Sequence, residues 1–66
     1  MEQTIDPRDL SRGVVRDDQG SFFIVEIVVG KLPPGSLRCS YGTVTRPKVG
    51  DDVLVSQAKE IVEILN

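Results

Sequence analysis

Between Ile27 and Gly50 the chain carries four basic residues, Lys31, Arg38, Arg46 and Lys48, and no acidic one. The flanks hold four basic and ten acidic residues, so a middle of +4 sits between flanks summing to −6, within a net charge of −2. Such segregation can place a positive surface on an acidic protein. Two aromatic residues accompany it, Tyr41 inside the basic stretch and Phe22 just before it. Guanidinium and ammonium groups beside aromatic rings suit single-stranded nucleic acid, because the cations meet phosphates while the rings stack on bases. The candidate RNA-binding residues are therefore Phe22, Arg38, Tyr41, Arg46 and Lys48.

Other chemistries find fewer supports. The chain has no histidine, so no Ser-His or Cys-His pair can form, and no catalytic residue is assigned. Cys39, the single cysteine, has no disulfide partner within the chain. An Arg38 neighbour would favour a reactive thiolate, but its place in an apolar alternation favours a small buried side chain. Asp51 and Asp52 would point to opposite faces of a strand. Turn chemistry explains them better than cation binding, and neither a metal nor a cofactor is expected. Gly20, Gly30, Gly35, Gly42 and Gly50 are spaced as turn residues and make no phosphate loop.

The elements that must position these residues read as short strands. Sixty-six residues hold one small domain, with no room for a deep substrate cavity. Asp6-Pro7 resembles a helix start, residues 8–12 suit a single turn, and Gly13 can end it. The division is a tail and short turn over residues 1–11 and a barrel over 12–66. Residues 13–16 suggest a first strand and residues 17–20 a turn. Residues 21–29 are rich in β-branched and aromatic side chains and make the strongest strand, with Phe23, Val25 and Ile27 inward and Phe22, Ile24 and Glu26 outward. Pro33-Pro34-Gly35 forces a turn into a third strand over 37–41. Pro47 keeps residues 42–48 irregular, and Val53 and Val55 mark a fourth inward face. The last segment fits either a helical stripe or a strand. The strand is favoured, because four strands would leave a long sheet edge open. The expected core is Phe23, Val25, Ile27, Cys39, Val53 and Val55. The expected fold is all-β, a small five-stranded barrel with a short N-terminal helical turn.

In that order, Gly13-Val14-Val15-Arg16, the segment from Gly20 to Glu26, Arg38 to Gly42, Val49 to Val55 and Ile61 to Leu65 resemble the oligonucleotide-binding (OB) barrel of bacterial translation initiation factor one. They resemble equally the N-terminal barrel of circularly permuted ribosome-assembly GTPases. A fainter similarity joins the last eighteen residues to small hydrogenase-maturation chaperone barrels, whose N-terminal Met-Cys is replaced here by Met1-Glu2. The first two resemblances imply an OB-type barrel acting in translation or ribosome assembly. The pattern departs from the initiation factors in keeping only Arg46 and Lys48 after the third strand, and in the acidic Asp17-Asp18. Weak, non-specific binding to single-stranded or ribosomal RNA is the expectation, in a cytoplasmic, non-enzymatic protein without a membrane segment. The alternative is a protein-interaction adaptor or chaperone barrel, docking through an outward row of Phe22 and Ile24 with Leu54 beside it.

Overall fold

The computed structural model describes residues 10–65. They form five strands, β1 (Ser11–Asp18), β2 (Phe23–Val29), β3 (Gly35–Tyr41), β4 (Asp52–Val55) and β5 (Glu60–Ile64). The strand order is β1-β2-β3-β5-β4, closed by pairing of β4 with β1. Four of the five seams are antiparallel and β3–β5 is parallel, which makes the molecule an all-β barrel of OB type. Among the described residues there is no helix, and therefore none long and apolar enough to cross a membrane.

Period-two alternation drives the closure. Phe23, Val25 and Ile27 on β2 face the interior with Cys39 on β3 and Val53 and Val55 on β4, all almost wholly buried. Val15 and Ile61 complete this core, and Leu32, Leu37, Tyr41 and Ile64 pack against it. The six core residues expected from the pattern are all inside, and the C-terminal segment is a strand.

The first strand departs from expectation. Of the helical turn expected over residues 8–12, residues 8 and 9 lie outside the described residues, Leu10 has no regular structure, and Ser11 and Arg12 belong to β1. Asp17 and Asp18, expected in a turn, extend β1 as well. A register shift between Val15 and Asp17 turns the strand there, so that Asp17 meets Ile24 and Asp18 meets Phe23. Gly13 lies beside another shift, and its missing side chain lets β1 approach β2: a Cβ there would stand 2.6 Å from both the Glu26 carbonyl oxygen and Val25 Cγ1.

Leu54 is not beside Ile24. It pairs with Arg12 near the start of β1, whereas Ile24 pairs with Asp17 near its end, so β1 and several residues of register separate the two. Phe22 and Ile24 stay outward without it. The corresponding outer face of β1, β2 and β3 instead reads Asp17, Ile24, Arg38 in one cross-strand row and Val14, Glu26, Ser36 in the next.

Candidate nucleic-acid interface

Phe22 stands in the last position before β2, at the foot of the turn that leaves β1. The turn is closed by Gln19 N–H donating to the Phe22 carbonyl at 2.9 Å and by Gly20 N–H donating to Asp18 Oδ1 at 2.9 Å. Gly20 adopts φ of 85°, a conformation that side chains beyond glycine rarely take. The Phe22 ring keeps 39% of its exposure, and the Arg38 guanidinium lies 4.6 Å from its centroid. This is cation–π geometry, placed on the outer face where β2 and β3 pair. The pair offers a flat composite surface, an exposed ring and an exposed guanidinium plane, and both kinds of plane accept a stacked base.

Tyr41 is placed differently. It packs against the core and meets Phe23 edge to face, with centroids 5.4 Å apart. Its hydroxyl accepts from Arg46 Nη1 at 3.4 Å. Arg46 is turned toward the barrel as well. Its Nη2 donates to Asp18 Oδ1 and, at 2.9 Å, to the Gly20 carbonyl, while the guanidinium carbon stands 4.8 Å from the Phe23 centroid and 5.6 Å from that of Tyr41. Two features hold the Asp18 carboxyl below its ordinary range, first the Gly20 N–H and then the Arg46 guanidinium.

Lys48 follows on the same connection. Its backbone N–H donates to Asp51 Oδ2 at 2.9 Å, which is the turn chemistry expected of that aspartate, and its side chain is exposed. Asp52 meets Arg12 at 3.3 Å. On the outer face Arg16 holds Glu26 at 2.8 Å, partly neutralising an acid beside the platform. The structure thus joins Phe22 with Arg38 and, separately, Tyr41 with Arg46.

A cation outside the basic stretch is carried by a turn that pairs with β3. Lys59 lies in the turn between β4 and β5, at φ of 63°, and its carbonyl accepts from Ser40 N–H at 3.1 Å, one position past Cys39 on β3. That non-glycine left-handed residue is fixed by two hydrogen bonds, since its own N–H donates to the Ser56 carbonyl at 2.9 Å. Nothing in the local sequence marks Lys59, because only the long-range β3–β5 pairing brings it beside β3.

Cys39 is fully buried in the core. Burial pushes its thiol above the ordinary range, against a smaller opposite pull from Lys59. Among the described residues no group of three His, Cys, Asp or Glu side chains converges on one point. An open groove lies elsewhere, between residues 42–45 and Val62, Glu63 and Ile64, and carries an acid but no base. Comparison with protein-family models, with curated proteins and with solved structures finds no match.

Proposed function

We propose that this barrel is a small non-catalytic module that binds single-stranded RNA weakly, in a translation or ribosome-assembly setting. The supporting observation is the Arg38 guanidinium held 4.6 Å over an exposed Phe22 ring on the outer face of β2 and β3. In OB-type barrels this face and the β1–β2 and β4–β5 loops are the surfaces that take oligonucleotides. Here the first loop presents Phe22 and the second presents Lys59. A base stacks on the ring or on the guanidinium, and Lys48 and Lys59 supply phosphate contacts at the margin. Asp17 on the same face limits the affinity. The setting comes from the resemblance to initiation factor one and the ribosome-assembly GTPases.

The test is an NMR titration with hexauridylate at low and moderate salt. Shifts centred on residues 22–26, 38–40 and 59 that fade as salt rises are the expected result, because phosphate-driven binding weakens steeply with ionic strength. An absence of shifts at low salt would overturn the RNA reading and leave a protein partner at Phe22 and Ile24.

A further inference from the structure

We infer that Arg46 is a positioning residue for the Phe22–Arg38 platform, acting through the β1–β2 turn rather than as a phosphate contact. The inference rests on the RNA-binding reading for its functional consequence, but its structural part stands apart from that reading. Arg46 Nη2 bridges the Asp18 carboxylate and the Gly20 carbonyl. Those are the last residue of β1 and the glycine of the turn, where Asp18 Oδ1 also accepts from Gly20 N–H and Gln19 N–H donates to the carbonyl of Phe22 itself. The opposite side of the guanidinium is anchored on the interior. It lies against the Phe23 and Tyr41 rings, and Nη1 donates to the Tyr41 hydroxyl.

Arg46 therefore ties the tip of the β1–β2 hairpin to the core side of β2 and β3, and Phe22 is the residue by which that hairpin enters β2. Planar donors in a fixed fork suit this bridging, since three acceptors and two rings are met by one group. A phosphate would have to compete with Asp18 and the Gly20 carbonyl for Nη2. The connection that carries Arg46, residues 42–51, has no strand of its own, so its hold on the turn also fixes that connection against the hairpin.

The test compares the parent 66-residue protein with Asp18→Ala and Arg46→Ala. Three quantities are read: the upfield ring-current shift of the Arg38 side-chain protons over Phe22, the affinity for hexauridylate, and the dependence of that affinity on salt. Positioning predicts that both variants lose the ring-current shift and bind about tenfold more weakly. The salt slope should stay at the parent value. Asp18→Ala is the sharper variant, because it frees the Arg46 charge. If Arg46 were an RNA contact restrained by Asp18, this variant would bind more tightly, which overturns the inference. A slope smaller by about 0.7 in Arg46→Ala marks a lost phosphate contact and overturns it as well. So does a ring-current shift that survives when Arg46 is replaced. Amide shifts of Val25 and Val53 report whether the barrel is intact, and Arg46→Met, which keeps the bond between Asp18 and the Gly20 amide, carries the comparison if Arg46→Ala does not fold. Should the parent fail to bind hexauridylate, the RNA reading falls, and the ring-current comparison still decides whether Arg46 positions Phe22.

Discussion

Phe23 and Tyr41 meet edge to face, with ring centroids 5.4 Å apart and planes at 84°. The contact joins β2 to the end of β3, where β3 hands over to the parallel pairing with β5 through Tyr41 and Ile61. Phe23 is wholly buried, so it serves both the core and this seam. Replacing Phe23 with Ala should cost roughly 3–5 kcal/mol. At the per-residue stabilities of small domains, a 66-residue protein has only about 3–10 kcal/mol in all. Urea denaturation should therefore show a Phe23→Ala midpoint far below the parental one. A cooperative transition at the parental midpoint would contradict the assigned role.

Gly30 should resist any side chain. Its φ is 131°, and a Cβ there would stand 2.4 Å from Ser11 Cα, a backbone atom that cannot swing away. Ser11 is fully buried, and its Oγ accepts from Leu32 N–H at 2.9 Å, fastening the β2–β3 hairpin to the start of β1. Gly30→Ala should lose about 1–3 kcal/mol. Ser11→Ala should lose a similar about 1–3 kcal/mol by leaving the Leu32 amide without its acceptor. Thermal melts of both variants check this, and an unchanged midpoint for either would remove its part of the lock.

Ser11 also shows where sequence reading stops. Phe23, Val25, Ile27, Val53 and Val55 were legible because each alternates with polar or half-exposed neighbours at the period of a strand. Ser11 carries no such mark. It is small and polar, follows a Pro-initiated segment, and becomes interior only because β4 and the hairpin close over it. Asp17 and Asp18 look like turn residues because aspartate bonds its own backbone. A bulge after Val15 keeps them in β1 instead. The candidate site divides in the same way. Phe22 and Arg38 were legible as an outward aromatic and a cation on neighbouring strands. The bond of Arg46 to Asp18, 28 residues away, and the arrival of Lys59 beside β3 depend on barrel closure.

Cys39 should be inert in the folded protein. It is inaccessible, and desolvation raises its thiol, so the thiolate that reacts is scarce. Incubation with a thiol-specific reagent at pH 8 should give labelling that is slow in buffer and fast in denaturing urea. Equal rates in the two conditions would mean that the β2–β3 region opens readily.

The turn that carries Phe22 should be sensitive to acid. Asp18 has its carboxyl held below the ordinary value of 3.8, first by the Gly20 amide and then by Arg46. A carboxylate with a depressed folded-state value stabilises the structure above its unfolded value, and the benefit disappears as pH falls through the folded one. The Gly20 amide shift and the Arg38 ring-current shift should move together as pH falls, with a shared midpoint below 3.8. Asp17, the adjacent acid, faces Ile24 and lies outside this bridge. A midpoint above 3.8 in the Gly20 amide would show that the bridge does not hold in solution.

Phe22 and Arg38 should contribute to RNA binding as one unit. The guanidinium lies over the ring, so removing the ring leaves Arg38 without the surface that orients it, and removing Arg38 leaves Phe22 without its covering plane. A base that stacks on this composite loses much the same contact either way, about 1–3 kcal/mol by the usual worth of a stacked base. Phe22→Ala, Arg38→Ala and the double variant form a cycle that measures the coupling directly. The expected result, by fluorescence anisotropy with labelled hexauridylate, is two substantial single losses and a double loss well short of their sum. Both residues sit on the outer face, away from Phe23 and the rest of the interior, so all three variants should melt within about 4 °C of the parent, as surface substitutions do. Strictly additive losses would mean that ring and guanidinium meet the RNA at separate points, and the composite platform would have to be abandoned.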